Sequence, residues 1–414
     1  MSILRVRGGA RLRGTLAVQG SKNAALPILA ATLLVKEPIR LLNCPRLRDV
    51  GNMLHILESL GCKVWREGGD LVVDSGGASG FVLPDALSKE LRSSIFLLGS
   101  VLSRFGEADA PYPGGCEIGN RPIDLHLSGL RRLHAEIAEN GGRIRCKGKQ
   151  LVGAVIDLEY PSVGATENCM LAACRAEGET VIRNAACEPE IADLQGFLNA
   201  CGFRVAGAGT PTVTVRGAAE GHGATYRIPP DRIVTGTYLC GAAMTRGDVT
   251  VTDTRPDALD ALLSKLSACG CTVTRYADAV RVVSNGRPNA IGFTETRPYP
   301  GFPTDLQPQL FSLLSVANGT SVLVENVFEN RFKHAQELKK MGAMNRILDR
   351  TAIITGTERL CGATVTAHDL RGGAALVLSG LAAEGETVIE HAERIERGYE
   401  RMGAVLNSLG ADVE

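Results

Sequence analysis

Internal repetition is the feature that most constrains this chain. One phrase recurs six times: a helical apolar run, a turn, an extended segment, a polar turn, then a second amphipathic helix that closes at glycine. The first copy reads Ala25-Leu26-Pro27-Ile28-Leu29-Ala30-Ala31, then Ile39-Arg40-Leu41-Leu42-Asn43, then a helix over 50–60 closing at Gly61. The third reads Cys169-Met170-Leu171-Ala172-Ala173, then Thr180-Val181-Ile182-Arg183-Asn184, then a helix over 191–200 closing at Gly202. Copies four, five and six close at Gly270, Gly342 and Gly410, and the second closes near Gly141. Short extended runs such as Val280-Arg281-Val282-Val283 follow most closing glycines, so each unit is α/β, with two helices and several strands.

The sixth copy reaches Glu414 before its trailing strands, while two strand patterns, Leu4–Arg7 and Thr15–Gln19, precede the first helix. The N-terminus is therefore expected to complete the sixth repeat. This predicts two domains of three repeats each, residues 1–20 with 230–414 and residues 21–229, with the chain crossing near Gln19-Gly20 and Pro229-Pro230. A length of 414 residues with 44% hydrophobic content is ample for two cores. A cleft between two such domains is the expected place for a ligand.

Charge and cysteine content narrow the function. Forty-five Lys and Arg balance forty-five Asp and Glu, which argues against general binding to nucleic acid or to a membrane surface and leaves local cationic pockets for small anions. The first nine residues lack an apolar signal-like region, no later apolar run is long enough to span a bilayer, and the twelve cysteines sit largely in apolar patterns without CxxC pairs. Together these predict a cytoplasmic protein with reduced core thiols. A GxxxxGK[ST] phosphate loop, a metal-ligand cluster and a GxGxxG turn are all missing, so no nucleotide cofactor and no metal are expected.

Polar residues recur where each first helix begins: Ser21-Lys22-Asn23, Arg92, Ser162-Val163-Gly164, Asp231-Arg232, Thr304-Asp305 and Asp369-Leu370-Arg371. From Lys22, Ser162, Arg232, Asp305 and Arg371 the closing glycine lies 37–40 residues on, but from Arg92 it lies 49 on. The surplus of about ten residues maps to the loop 111–124, Pro-Tyr-Pro-Gly-Gly-Cys116-Glu-Ile-Gly-Asn-Arg121-Pro-Ile-Asp. Helix starts offer unpaired N–H groups and partial positive charge, so six of them would suit a polyanionic ligand. Ser21, Ser162 and Thr304 serve equally as N-caps, and Thr304 with Gln307 spells a capping box. For Cys116 both chemistries stay open: nearby Arg121 favours a nucleophilic thiolate, whereas a general acid needs the protonated thiol.

These residues carry a resemblance. Gly20-Ser21-Lys22-Asn23-Ala24-Ala25, Pro113-Gly114-Gly115-Cys116 through Arg121-Pro122-Ile123-Asp124-Leu125-His126, Ser162-Val163-Gly164-Ala165-Thr166, Asp231-Arg232, Phe302-Pro303-Thr304-Asp305, Phe328-Glu329-Asn330-Arg331-Phe332, Asp369-Leu370-Arg371 and Arg397-Gly398-Tyr399-Glu400 occur in order along essentially the whole chain. In this the chain resembles the UDP-N-acetylglucosamine 1-carboxyvinyltransferase family of enolpyruvyl transferases. The resemblance implies a two-domain inside-out α/β barrel, three βα repeats per domain, with the active site in the interdomain cleft. It implies transfer of the enolpyruvyl group of phosphoenolpyruvate to the 3′-hydroxyl of UDP-N-acetylglucosamine, with release of phosphate, as the first committed step of peptidoglycan synthesis.

Carried over by position, the resemblance makes Lys22, Asn23, Arg121 and Arg397 contacts of phosphoenolpyruvate, and Cys116 a proton donor that can also form a covalent adduct. It gives UDP-N-acetylglucosamine the residues Arg92, Arg121, Pro122, Ile123, Asp124, Leu125, Tyr160, Pro161, Ser162, Val163, Gly164, Asp305 and Val327, with Asp305 as base for the attacking hydroxyl. Arg48, Arg232, Arg331, Asp369 and Arg371 form a supporting shell. Arg48 stands where many members of the family carry lysine, Phe96 where some carry tryptophan and Tyr160-Pro161 where some carry a lysine-containing pair, the first departure keeping charge but not hydrogen-bond geometry. Two rival readings are a shikimate-3-phosphate enolpyruvyl transferase and a non-catalytic UDP-N-acetylglucosamine-binding paralogue. If the 111–124 loop is a lid, UDP-N-acetylglucosamine should protect it from limited proteolysis; cleavage at an unchanged rate would refute a mobile lid.

Overall fold

The computed structural model describes residues 2–114, 118–119, 122–218 and 220–414. Six α/β repeats are present, each built round one helix that buries nearly its whole circumference: Lys22–Ala31, Leu97–Phe105, Val163–Ala173, Arg232–Met244, Gln307–Ser315 and Leu370–Ala382. Their sequences explain this, since Ala, Leu, Gly, Cys and Ser dominate and leave no charged stripe for solvent. Each then runs into a strand that pairs with a following antiparallel hairpin. In the first repeat, for example, the strands Thr225–Arg227, Ile39–Leu42, Asp70–Asp74 and Lys63–Glu67 lie side by side in that order.

Two compact units divide the chain. The first gathers Met1–Gln19 and Pro230–Glu414 with Ile118 and Gly119, and the second gathers the remainder, ending at Pro229. Within the first, the helices Arg232–Met244, Gln307–Ser315 and Leu370–Ala382 pack on one another and three sheets cover them. Within the second, Leu97–Phe105 packs on both Lys22–Ala31 and Val163–Ala173 inside its own sheets. Ile118 lends its carbonyl to the Asn330 N–H at 3.0 Å within the first unit.

The N-terminal strands divide between repeats. Ile3–Arg7 pairs antiparallel with Glu386–Glu390 and so completes the sixth sheet. Arg13–Ala17 does not join it; it runs parallel to Asp248–Thr252 as the edge strand of the fourth repeat. The same position in the first repeat is filled by Thr225–Arg227, parallel to Ile39–Leu42. Each crossing of the chain thus falls between an edge strand and the helix that follows it. Backbone bonds hold both ends: Ser21 N–H to Pro229 O at 2.7 Å in the second unit and Asp231 N–H to Gln19 O at 3.0 Å in the first.

Every second helix closes by the same device. A residue in the left-handed region donates to the carbonyl three before it, and the next N–H reaches back five residues to a leucine: Leu57, Leu130, Leu198, Leu266, Leu338 and Leu406, at 3.0–3.1 Å. Gly61, Gly202, Gly270, Gly342 and Gly410 hold that position with φ of 88–97°. In the second repeat the position belongs to His134, at φ 66°, and Gly141 lies in the later turn between strands Glu136–Asn140 and Arg143–Lys147. This corrects the count made from sequence. Arg92 lies 42 residues from His134, not 49 from a closing glycine.

The insertion is real but smaller, and it sits between strand and second helix. That connection spans 112–123 in the second repeat against only 43–47 and 184–188 in the first and third. The sixth repeat has one almost as long, 391–401, and the fifth an intermediate one, 325–332.

Because a side chain with a Cβ is disfavoured in the left-handed region, His134→Gly should stabilise the second unit by about 0.5–1 kcal/mol. A rise in thermal midpoint checks this, and a fall would show that the imidazole makes a compensating contact.

Candidate active site

Candidate residues of the first unit converge on one carboxylate. Asp305 stands in the short helical turn Thr304–Leu306, ahead of the buried helix Gln307–Ser315. Arg331 comes from the connection after strand Thr320–Val324, and Arg371 is the second residue of helix Leu370–Ala382. The Arg331 guanidinium donates to Asp305 Oδ1 at 3.0 Å and Arg371 Nη2 to Asp305 Oδ2 at 3.3 Å. Both arginines are at most 2% exposed. Each also covers an aromatic ring, Arg331 over Phe328 at 5.6 Å and Arg371 over Tyr399 at 5.3 Å.

Asp369 anchors Arg371 from behind. Its Oδ1 accepts from the Arg371 and Gly372 N–H groups at 3.0 and 2.9 Å, capping the helix. Tyr399 is fixed in turn by Thr237 and Gln309, at 2.9 and 3.0 Å. Burial works against the Arg371 charge, but Tyr399, Asp305 and Asp231 outweigh it and hold its pKa above the ordinary arginine value. Arg331 Nε is buried without a hydrogen-bond acceptor among the described residues. Arg397 ends the neighbouring short helix Ala392–Arg397 and is half-buried, and Val327 is half-buried in the connection that carries Arg331.

The second unit holds the other candidates. Lys22 opens helix Lys22–Ala31, is only 9% exposed, and its Nζ meets Asp49 Oδ2 at 3.3 Å, with Asn23 half-buried beside it. Ser21 and Ser162 cap their helices by accepting from the Ala24 and Ala165 N–H groups, both at 3.3 Å. Arg92 donates to the Gly114 carbonyl at 3.2 Å and so ties the start of the 111–124 loop to its own helix. Ile123 is buried while Pro122 and Asp124 are exposed, Asp124 opening the helix Asp124–Arg132 ahead of the half-buried Leu125.

A hydrogen-bond relay underlies the Ser162–Gly164 segment. The Gly99 N–H donates to Asn168 Oδ1 at 2.7 Å, which turns the amide nitrogen of Asn168 toward His126 Nδ1 at 3.2 Å. That nitrogen must accept, so the imidazole proton sits on Nε2. Gly164 lets the ring close in: a Cβ there would lie 3.0 Å from His126 Cε1 and 3.1 Å from Phe96 Cε1. Burial, with Arg92 adding to it, pushes the His126 pKa down to about 3, so it stays a neutral donor.

Several expectations change. Thr304 and Gln307 form no capping box: Pro303 is the cap residue and the Thr304 hydroxyl donates to Glu325 at 2.9 Å instead. Four of the six first-helix starts are occupied by their own caps, Ser21, Ser162, Asp231 and Asp369, so those N–H groups are not presented to a ligand. Arg48 meets Glu90 at 3.5 Å with its side chain more than half exposed, and it is the next residue, Asp49, that engages Lys22. Arg232 lies over the Tyr299 ring at 5.9 Å. Tyr160 is exposed, with Pro161, Ser162, Val163 and Gly164 half-buried after it. Cys116 and Arg121 lie outside the described residues. Sequence reasoning missed Asp49, His126, Asn168 and Glu325, for which only their position beside a chosen motif could have served as a signal.

Among the described residues no three or more His, Cys, Asp or Glu side chains are grouped to hold a metal ion, and no described helix is long and apolar enough to cross a membrane. The eleven described cysteines are free thiols, nine of them buried. Burial pushes the pKa of Cys169 and Cys201 up to about 12, which makes them inert.

The chain is a sixfold βα repeat in which two buried arginines close on the carboxylate of Asp305. The family model described as EPSP synthase (3-phosphoshikimate 1-carboxyvinyltransferase) matches residues 6–406, and the chain belongs to this family of enolpyruvyl transferases. Among curated relatives, UDP-N-acetylglucosamine 1-carboxyvinyltransferase 2 of Caldanaerobacter subterraneus subsp. tengcongensis is 52% identical over 413 residues, covering 100% of this chain and 99% of the relative. The UDP-N-acetylglucosamine 1-carboxyvinyltransferase of Yersinia pestis is 47% identical, covering 100% and 99%. The fold is shared with the enolpyruvyl transferase NikO from Streptomyces tendae, at a TM-score of 0.90 and 24% identity over 100% of this chain and 98% of that one. It is shared as well with EPSP synthase from Acinetobacter baumannii, at 0.75 and 20% over 100% of both.

His126 has a consequence for stability. Its folded pKa of about 3 lies below the unfolded value near 6.5, so folding excludes a proton and stability is full above pH 6.5 and falls as pH drops toward 3. The loss from this group approaches about 1.4 kcal/mol per pH unit in the middle of that window, where the unfolded imidazole is protonated and the folded one is not. In His126→Gln the decline in unfolding midpoint between pH 6 and pH 4.5 should be correspondingly shallower. An unaltered pH dependence would mean that the imidazole titrates normally.

Proposed function

We propose that this protein transfers the enolpyruvyl group of phosphoenolpyruvate to the 3′-hydroxyl of UDP-N-acetylglucosamine, releasing phosphate, in the opening step of peptidoglycan synthesis. The observation that carries this reading is full-length identity of 46–52% to relatives that all bear the UDP-N-acetylglucosamine 1-carboxyvinyltransferase name. It is favoured over the shikimate 3-phosphate reaction named for the family model because those relatives are matched from end to end.

Lys22, Asn23, Arg121 and Arg397 bind phosphoenolpyruvate, whose charge adds acceptors to a lysine now paired with Asp49. Arg92, the segment 121–125 and the segment 160–164 bind the nucleotide, with the neutral His126 and Phe96 shaping the floor under Gly164. Asp305 takes the proton of the sugar hydroxyl as its oxygen bonds to C2 of phosphoenolpyruvate, and Cys116 delivers a proton to C3, giving a tetrahedral ketal. Loss of a C3 proton and of phosphate then forms the enol ether. Arg331 and Arg371 fix both oxygens of Asp305, so the base arrives in one orientation. Arg48, Arg232 and Asp369 act behind these groups.

Phosphate release from phosphoenolpyruvate should require UDP-N-acetylglucosamine and not be supported by shikimate 3-phosphate. Cys116→Ser and Asp305→Asn should each lower kcat by about 10²–10³-fold with folding unchanged by circular dichroism. Absence of release by the wild type with the nucleotide sugar would sink the proposal.

A further inference from the structure

Five of the six repeats provide an internal comparison at the residue that follows the central strand; in the second that residue is Tyr112, without positive φ, and the sheet has three strands. In the first and third repeats this residue is Asn43 or Asn184, in the left-handed region at φ 55° and 52°. Each asparagine donates its side-chain amide to the carbonyl just beyond the neighbouring edge strand, Asn43 to Ile228 at 3.1 Å and Asn184 to Leu158 at 2.8 Å. The fourth and sixth repeats have Asp253 and His391 there, again with positive φ. In the fifth repeat the residue is Glu325, with 0% exposure and no positive φ.

Glu325 meets the equivalent edge-strand residue with opposite polarity. Its Oε1 accepts from the hydroxyl of Thr296, the residue just beyond strand Phe293–Glu295, at 2.9 Å. The same oxygen accepts from the N–H groups of Val327 and Phe328 at 2.8 and 3.1 Å, and Oε2 accepts from the Thr304 hydroxyl at 2.9 Å. Four donors from three segments therefore meet on one buried carboxylate. Burying that charge is costly before its hydrogen bonds are counted. Joining strand to edge strand does not need it, since asparagine performs that task in two other repeats. What the carboxylate adds is a grip on Thr304, adjacent to Asp305, and on the backbone that presents Val327.

We propose that Glu325 is a positioning residue for the acceptor sugar, holding the Asp305 turn and the Val327 turn in one register. The proposal rests on the function inferred above and extends it to a residue that touches neither substrate. Loss of the grip leaves Asp305 attached to Arg331 and Arg371 but lets its turn and the Val327 turn move independently. A displacement of about 1 Å at such a position costs on the order of 10²-fold in rate.

The test compares Glu325→Asn, which installs the residue of the first and third repeats, with Glu325→Gln and Thr304→Val. Glu325→Asn should raise KM for UDP-N-acetylglucosamine at least about tenfold and lower kcat by about 10–10²-fold, leaving KM for phosphoenolpyruvate within about twofold. Glu325→Gln keeps the reach and one acceptor oxygen, and its amide can donate to the Thr304 hydroxyl, so kcat/KM should recover to within about fivefold of wild type. Thr304→Val should lower kcat with little change in KM for the nucleotide sugar. Wild-type kinetics in a folded Glu325→Asn would overturn the proposal, as would equal impairment toward both substrates that merely follows a drop in thermal midpoint. Should Glu325→Asn fail to fold, unchanged kinetics in Thr304→Val would overturn it. A wild type that releases no phosphate refutes the functional reading instead; calorimetric titration of UDP-N-acetylglucosamine then decides on Glu325, an affinity equal in wild type and Glu325→Gln and Glu325→Asn counting against it.

Discussion

Six helices with almost no solvent-facing side impose the terms on which the rest of the molecule is built. A helix such as Leu370–Ala382, buried from Arg371 to Leu381, stabilises the fold only if other elements surround it, each large apolar side chain contributing about 1.5–3 kcal/mol when fully buried. The helix pairs nearest neighbours inside its unit and takes sheets on the outside, so every sheet has an inner apolar face and an outer one that carries ion pairs such as Arg40 with Asp70 and Arg281 with Asp248. Buried charge gathers instead at helix starts and in the connections after strands, as with Lys22, Arg371, Glu325 and Arg331. There it is held by caps and partners, as Asp369 holds the Arg371 turn and Asp49 meets Lys22.

The repeats differ in the length of the segment between the central strand and the second helix, whereas the leucine-anchored turn that ends that helix is the same in all six. Short connections, 43–47 and 184–188, are closed by an asparagine and carry little chemistry. Longer ones carry the candidate residues: 112–123 includes Cys116 and Arg121, 325–332 includes Val327 and Arg331, and 391–401 includes Arg397. An insertion there adds surface without disturbing a core, and the other candidates stand at the starts of the first helices.

Buried polar groups then convert loose connections into defined ones. Asp305 is fixed by two arginines that are themselves stacked on Phe328 and Tyr399, and Tyr399 is fixed by Thr237 and Gln309. Glu325 performs the same service one turn away, and the Gly99, Asn168 and His126 relay does so in the second unit. Each network is satisfied largely by donors and acceptors distant in sequence, so its strength depends on the fold being complete.

Periodicity, turn residues and motif order by themselves determined the six repeats, the α/β class, the use of Ser21 and Ser162 as caps, and the family, because these follow from local chemistry repeated at a fixed interval. They misplaced what depends on geometry across the chain. A histidine can stand in a left-handed turn when the leucine bond behind it is made, so glycine spacing put the second closing turn at Gly141 instead of His134. The Thr304 hydroxyl had a local partner in prospect and took a distant one, Glu325, since a buried carboxylate outcompetes a capping interaction for a nearby donor. Which strand completes which sheet, that Asp49 and not Arg48 meets Lys22, and that Arg331 and Arg371 close on the same carboxylate were decided only by tertiary structure. Those pairings join residues from 26 to more than 200 positions apart, and no local pattern encodes a contact that exists only once the cores have formed.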